Sequence, residues 1–211
     1  MEDVLDVYER AYDPKRPVVC FDETSKELRE TPRGSLPIEK GRPERHDYEY
    51  QRNGTANLFT WVEPLIGRVK VTVTGRRTAN DFADQIKILI DEDYPDADCV
   101  VLVLDNLNTH NPGALYQRFS PEEAHRINSK IEWHYTPEHA SWLNMAEIQL
   151  SILARQCLAN RIGNREQLEQ AVRAWMSIRN QTKVPVKWQF TTKDARIKLR
   201  KLYPVTESRL G

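Results

Sequence analysis

One pattern occurs twice in this sequence, in residues 17–22 (PVVCFD) and again in residues 99–105 (CVVLVLD). Each is an uninterrupted apolar run that ends in an aspartate. Because neither run alternates between apolar and polar residues, each predicts a strand that is buried on both faces of a sheet. If the two strands are parallel neighbours, Asp22 and Asp105 emerge at the same edge of the sheet, where open α/β sheets bind their ligands.

The rest of the chain predicts a mixed sheet covered by helices. The predicted strands cover residues 17–22, 55–63, 68–74, 99–104 and 131–135. The predicted helices cover residues 1–12, 78–92, 112–130, 142–159, 165–180 and 192–202. Because strands mixed with helices are typical of layered domains, we expect an α/β fold with a mixed five-stranded sheet and helices on both faces.

Length and composition indicate a single globular domain over residues 1–211. The chain is 39% hydrophobic and 29% charged. No apolar run approaches the roughly 20 residues that a membrane helix needs, so we expect no membrane partner. Residues 29–54 contain three prolines, three glycines and many charges, which is typical of a loop or arm. Residues 160–211 are predicted to form a basic helical part.

The N-terminus and the cysteines favour a cytoplasmic protein. Residues 1–13 (MEDVLDVYERAYD) are acidic and lack the apolar core of a signal peptide. The three cysteines are few and odd in number, which argues against a disulfide framework and predicts reduced thiols.

Charge is distributed unevenly along a chain whose formal net charge is zero. Residues 148–211 carry 13 lysines and arginines against 4 acidic residues, whereas residues 1–147 carry 18 against 27. A basic part beside an acidic part suits a phosphate-binding surface next to a carboxylate site, and so favours a nucleic-acid partner. A solvated helical surface with ordinary basic residues explains the asymmetry equally well.

Asp22 and Asp105 are candidate metal ligands. A charged carboxylate at the end of a buried strand costs several kcal/mol unless something compensates it, and a metal ion is an efficient compensator. Alternatively, each aspartate caps a turn, and Asp105 followed by Asn106 would suit an Asx-turn.

Glu147 is the candidate for a third carboxylate, because it borders an apolar helical stripe and should lean toward the sheet. The stripe consists of Leu143, Ala146, Leu150, Leu153 and Cys157. Alternatively, Asn144 and Glu147 form a capping box. Glu138 is a rival acid, but its neighbours Pro137 and His139 place it in a loop. Three carboxylates without a histidine-rich shell suit Mg²⁺ or Mn²⁺, and two such ions about 3.5–4 Å apart can act on both sides of a phosphate.

Three blocks that contain these carboxylates resemble the catalytic blocks of DDE transposases. They are residues 21–23 (FDE), 104–110 (LDNLNTH) and 136–147 (TPEHASWLNMAE). The similarity is greatest to the insertion sequence 630 family, a bacterial branch of the mariner-like superfamily. It runs from about residue 13 to residue 204 and includes residues 53–57 (NGTAN).

The resemblance implies a ribonuclease H-like fold, with Asp22 on the first strand, Asp105 after the fourth and Glu147 on a helix. It implies that the three are catalytic and hold two Mg²⁺ or Mn²⁺ ions per active site. It also implies cleavage of transposon ends by activated water, followed by strand transfer of the freed 3′-hydroxyl into target DNA, usually at a TA step. The expected partners are DNA and a second copy of the chain, since two ends must be brought together. A bacterial protein of this kind would be cytoplasmic and nucleoid-associated on DNA.

Two features depart from the family pattern. Asp105 and Glu147 are separated by 41 residues, which exceeds the mariner-type spacing, although the helix before residue 131 can absorb the difference. The family's N-terminal helix-turn-helix region has no counterpart in the sequence, so recognition of transposon ends is expected to need another chain or another part of the gene. Two alternatives stay open: a ribonuclease H-like nuclease without strand transfer, and a non-catalytic DNA-binding or assembly remnant.

Five further residues are candidates for DNA contact: His110, Asn144, Lys193, Arg196 and Arg200. His110 could touch the scissile phosphate or a metal-bound water, or form only a structural hydrogen bond in a turn. Asn144 could position Glu147 or cap its helix. The three basic residues surround an apolar seam in residues 192–202, so they could contact phosphates or belong to a solvated helix.

Overall fold

The computed structural model describes residues 1–30, 50–138 and 140–203, and within them a five-stranded sheet forms the centre of the fold. The strands are β1 (Val18–Glu30), β2 (Gln51–Glu63), β3 (Arg68–Thr74), β4 (Val100–Leu104) and β5 (Ile131–Tyr135). Their order across the sheet is β3-β2-β1-β4-β5, antiparallel from β3 to β1 and parallel from β1 to β5. The prediction of a mixed five-stranded sheet is confirmed.

Helices cover both faces of this sheet, as predicted. They are α1 (Glu2–Tyr8), α2 (Ala79–Ile88), α3 (Gly113–Arg118), α4 (Pro121–Ser129), α5 (Ala146–Gln156), α6 (Arg165–Thr182) and α7 (Thr192–Lys198). A π-helical turn, Leu89–Asp93, follows α2, and 3-10 turns cover Ser141–Leu143 and Arg200–Leu202. In the described part of the chain, no helix is both long enough and apolar enough to cross a membrane.

Alternation along β1 divides the core between the two faces of the sheet. Val18 and Cys20 belong to a cluster that includes buried residues of α1, α5 and α6. Val19 and Phe21 belong to a second cluster with buried residues of α2, α3 and α4. An unbroken apolar run is what such a strand requires, because both of its faces are covered. The three cysteines are free thiols, as predicted.

The prediction of a loop or arm over residues 29–54 is wrong at both ends. The last two residues of β1 pair with the first two of β2, so the strands form a long antiparallel ribbon. The prolines that suggested a loop all fall within residues 32–43, and the composition of that stretch said nothing about the pairing of its neighbours. Residues 31–49 lie outside the described residues.

The turn between β2 and β3 is packed against the chain that follows α6. Gly67 has a left-handed backbone with φ of 70°, and a Cβ added there would lie 2.5 Å from the carbonyl carbon of Val184. The amide of Val186 donates a hydrogen bond to the carbonyl of Pro64 at 2.8 Å. The turn therefore needs glycine both for its backbone conformation and for this close approach.

We expect Gly67→Ala to destabilise the fold more than Gly54→Ala. Gly54 also has a positive φ, of 94°, but a Cβ added there meets no described atom within 4 Å. Both substitutions place an alanine in a left-handed backbone conformation that is strained for it. Only Gly67→Ala also brings its Cβ into the backbone of Val184. Its loss of unfolding free energy should therefore be larger by about 1–3 kcal/mol. Urea unfolding measures both losses. Equal losses would contradict the close packing against Val184.

Candidate active site

The parallel pairing of β1 with β4 brings Asp22 and Asp105 together. Cys20 is in register with Val103, so Asp22 and Asp105 stand level two residues further along. Cys20 and Val103 both belong to the core cluster on the face covered by α5, and the two aspartates continue that alternation. The prediction that the strands are parallel neighbours and bring the two aspartates together is confirmed, but the predicted end of the first strand at Asp22 is wrong, because β1 continues to Glu30 through its pairing with β2.

Asp22 is buried, with 9% of its surface exposed. Its carboxylate accepts a hydrogen bond from the backbone amide of Glu23 at 2.8 Å, and among the described residues it forms no ion pair. Burial raises the pKa of Asp22 to about 7. That value includes smaller upward contributions from the carboxylates of Asp105, Glu147 and Glu23, and the hydrogen bond from the amide of Glu23 offsets part of the rise. Negative charge therefore accumulates at Asp22, and within the described ranges no cationic side chain pairs with it.

Glu147 lies in the first turn of α5, where its side chain is exposed. The helix packs against β1 and β2 and buries Ala146 and Leu153. A carboxylate in the first turn also interacts favourably with the helix dipole. The capping-box alternative is wrong, because the N-cap of α5 is Met145, the amide of Glu147 donates to the carbonyl of Asn144 rather than to its side chain, and the amide of Asn144 donates to Ser141.

Asn144 fastens the start of α5 to β1. Its side chain is fully buried, and its Nδ2 donates to the carbonyl of Phe21 at 2.8 Å. Its Oδ1 accepts from the amide of Ala146 at 3.1 Å. Since Asp22 follows Phe21 and Glu147 follows Ala146, this side chain sets the separation of two candidate ligands. Both polar atoms of this buried side chain are in use, so the structure favours a role in positioning Glu147, and the DNA contact of Asn144 stays a prediction.

His110 is buried beside the site, with 1% of its surface exposed. Its Nδ1 lies 2.5 Å from Oδ1 of Asp105, and its Nε2 lies 2.8 Å from Oε2 of Glu23. The second contact is an ion pair whose alignment falls short of a hydrogen bond. Burial lowers the pKa of His110, but the two carboxylates outweigh it and raise the pKa to about 9. Both ring nitrogens of His110 face protein carboxylates, as the alternative of a structural contact predicts, and a phosphate contact for His110 stays a prediction.

A cleft of about 400 Å³ opens beside Asp105. One wall is the loop after β4, with Asn106 and Asn108, and the other is formed by residues after β5, among them Thr136 and Ser141. Its volume lies in the usual range for pockets that bind small ligands, and its walls are largely polar.

A family profile described as DDE superfamily endonuclease matches residues 17–169, which is more than two thirds of the chain and includes Asp22, Asp105 and Glu147. The chain belongs to this superfamily. The narrower assignment to the insertion sequence 630 family stays a prediction. A search of curated proteins found no match.

Two solved structures share the fold of this DDE endonuclease. The Mos1 strand transfer complex is 16% identical, with a TM-score of 0.52, over 86% of this chain and 55% of that chain. An intasome of simian T-cell lymphotropic virus, in complex with the PP2A regulatory subunit B56 gamma, is 14% identical, with a TM-score of 0.50, over 78% of this chain and 49% of that chain. The chain thus spans about half the length of these proteins. The likeness confirms the ribonuclease H-like α/β fold.

The donor set of the DDE endonuclease suits a divalent cation. Asp22, Asp105 and Glu147 offer only oxygen donors, which Mg²⁺ and Mn²⁺ prefer. Thr60 pairs with Asp22 across the sheet, and its hydroxyl is buried without a hydrogen-bond partner among the described residues. As placed, no three His, Cys, Asp or Glu side chains of the described residues are arranged to hold a metal ion. Because like charges repel, binding a cation requires the three carboxylate side chains to move closer together.

The basic candidates of the C-terminal part are exposed and lie on or beside α7. Arg196 forms a two-pronged ion pair with Glu2 of α1, at 2.7 and 2.8 Å. Lys193 and Arg200 are exposed and form no ion pair within the described ranges. A phosphate contact is open to these two side chains, whereas Arg196 would first have to release Glu2.

Glu23 was not singled out from the sequence as a site residue. Its side chain is only 4% exposed, and it meets His110 rather than solvent. The available signal was that Glu23 directly follows Asp22, the candidate ligand at the end of the predicted strand. The partner lies far away in sequence, so no local pattern could show that this carboxylate is buried.

We expect Asp22→Asn to stabilise the metal-free protein as pH rises. The folded state raises the pKa of Asp22 from 3.8 to about 7, so ionisation of Asp22 costs stability between these pH values. Asparagine avoids that cost and still accepts the amide of Glu23. Urea unfolding in a chelating buffer should show a gain of up to about 4 kcal/mol near pH 8 that shrinks as the pH falls toward about 4. A gain that does not vary with pH would contradict the burial of this charge.

Proposed function

We propose that this chain is the catalytic domain of a DNA transposase, which cuts phosphodiester bonds at transposon ends and joins the freed 3′-hydroxyl to target DNA. One observation carries the proposal. The chain is a DDE superfamily endonuclease in which the β1–β4 register sets Asp22 level with Asp105. The charge of Glu147 on α5 contributes to the raised pKa of Asp22. The whole reaction is proposed rather than inferred from the family alone, because the chain spans only about half of its structural relatives.

Asp22, Asp105 and Glu147 would hold two Mg²⁺ or Mn²⁺ ions. Bound divalent ions supply charge neutralisation and activate water on one side of a phosphate while they stabilise the leaving oxygen on the other. Asp22 contributes a carboxylate whose ionisation is favoured when a cation offsets its burial. Glu147, exposed on the first turn of α5, is free to close over the site from the helix side. The hydrogen bond from Asn144 to Phe21 holds the start of α5 against β1.

DNA is the proposed substrate, with its scissile phosphate beside Asp105 and the polar cleft next to it. The basic part of the chain from residue 148 onward supports a phosphate-binding surface. We further propose that two copies act together, because a transposition event joins two ends, and that the protein works in the bacterial cytoplasm, at the nucleoid when bound to DNA.

We expect Asp105→Asn to abolish cleavage of plasmid DNA in Mg²⁺ or Mn²⁺ while the fold stays intact. Loss of a ligand charge at the site where the phosphate reacts should lower the rate by about 10³-fold or more. Asp98→Asn is the matched control, since Asp98 is exposed just before β4, at the end opposite Asp105, and its side chain lies 4.0 Å from Lys15, its one ion-pair partner among the described residues. Nicking assays with circular dichroism of both variants measure this. Wild-type nicking by Asp105→Asn would refute the proposed site.

Strand transfer separates the proposal from its alternatives. A short DNA duplex with a free 3′-hydroxyl at the transposon end is incubated with the protein, a divalent ion and supercoiled plasmid. The proposal predicts duplex joined covalently to plasmid. Nicked plasmid without joined products would instead indicate a ribonuclease H-like nuclease, and DNA binding without any reaction would indicate a non-catalytic remnant.

A further inference from the structure

A buried chain of three polar side chains connects β1 with the loop that follows β4. His110 approaches Asp105 through Nδ1 at 2.5 Å and Glu23 through Nε2 at 2.8 Å. The side chain of His110 is 1% exposed and that of Glu23 is 4% exposed, against 27% for Asp105. Of these three side chains, only Asp105 therefore reaches the cleft.

Aromatic neighbours hold the ring of His110 in one orientation. The ring of Phe82 lies 4.7 Å away at a tilt of 31°, and the ring of Phe21 lies 6.1 Å away, edge-on. The amide of His110 also donates to the carbonyl of Leu107 at 2.9 Å, which closes the loop after Asp105. In a close-packed interior, the ring does not turn away from Asp105 without disturbing these contacts.

Core stability alone does not account for these polar groups. Phe21 and Phe82 are apolar neighbours, and replacing a buried ion pair by apolar side chains of similar volume is often neutral or stabilising. The one contact that extends to the surface is with a candidate catalytic carboxylate. The contacts of Glu23 with His110 and of His110 with Asp105 therefore affect mainly the orientation of the Asp105 side chain.

We propose that His110 and Glu23 are positioning residues of the catalytic site. His110 holds Oδ1 of Asp105 and so leaves Oδ2 to face the divalent cation, while Glu23 keeps the ring of His110 in place. This inference rests on the proposed function, because it requires Asp105 to be a metal ligand. Partners that hold metal ligands typically change metal affinity by about 10–100-fold when they are removed.

Two substitutions separate the two contacts of His110. Asparagine places an amide nitrogen near the position of Nδ1 and keeps the bond to Asp105, whereas glutamine places one near Nε2 and keeps only the contact with Glu23. We expect His110→Asn to bind Mn²⁺ within about 3-fold of the wild type, and His110→Gln to bind it about 10–100-fold more weakly. Electron paramagnetic resonance of Mn²⁺ titrated into the full chain measures affinity without DNA or turnover.

The comparison of the two variants decides the question. Urea unfolding is the control: we expect His110→Asn and His110→Gln to lose similar amounts of stability, so that a difference in Mn²⁺ affinity does not come from unfolding. A merely structural role of His110 would lower the stability of both variants and leave their Mn²⁺ affinities equal. Equal Mn²⁺ affinities of His110→Asn and His110→Gln would overturn the proposal. Asp105→Asn is titrated in parallel: if it binds Mn²⁺ like the wild type, the proposed metal site fails. If it loses binding while His110→Gln does not, only the positioning role fails.

A second pair, at Glu23, answers the question even where the His110 variants do not fold. Glu23→Gln keeps an oxygen that can accept from Nε2 of His110, and Glu23→Ala does not, although both remove the same charge. We expect Glu23→Ala to bind Mn²⁺ about 10-fold more weakly than Glu23→Gln. Equal affinities of this pair would likewise overturn the proposal.

Discussion

Parallel pairing between β1 and β4 is the constraint on which the candidate site depends. β4 and the first residues of β1 are buried on both faces, so the first polar side chain of each comes where that buried stretch ends, and the register of Cys20 with Val103 sets Asp22 level with Asp105. A slip of one residue in either strand would turn its aspartate to the opposite face, away from α5. The apolar core that fixes this register is therefore also what assembles the carboxylates.

The arrangement has an electrostatic cost at Asp22, because His110 pairs with Asp105 and Glu23 but not with Asp22. Asp22 is buried with a raised pKa, and among the described residues no cationic side chain pairs with it. Asn144 uses both of its side-chain polar atoms to hold α5 against β1, which keeps Glu147 close in spite of the repulsion. A site that concentrates negative charge in this way is unfavourable alone and becomes favourable with a cation.

Part of the charge asymmetry along the sequence is used inside the fold. Arg196 of α7 pairs with Glu2 of α1, and Arg10 pairs with Glu132 of β5, so acidic and basic segments that are distant in sequence hold the N-terminal helix in place. A basic composition therefore overstates the positive surface available to phosphates. Lys193 and Arg200 remain exposed without ion pairs within the described ranges, and they are the better candidates for such a surface.

The sequence by itself determined the two buried strands, the α/β class and the three carboxylates, because hydrophobic periodicity and the family blocks are local signals that packing did not override. It did not show that β1 continues to Glu30, since the loop-like composition beyond it obscured the pairing with β2. Nor did it show that Asn144 reaches Phe21 or that His110 joins Asp105 to Glu23. Those contacts link residues on different elements, and only the tertiary structure decided them, because burial and hydrogen-bond partners depend on which strands become neighbours.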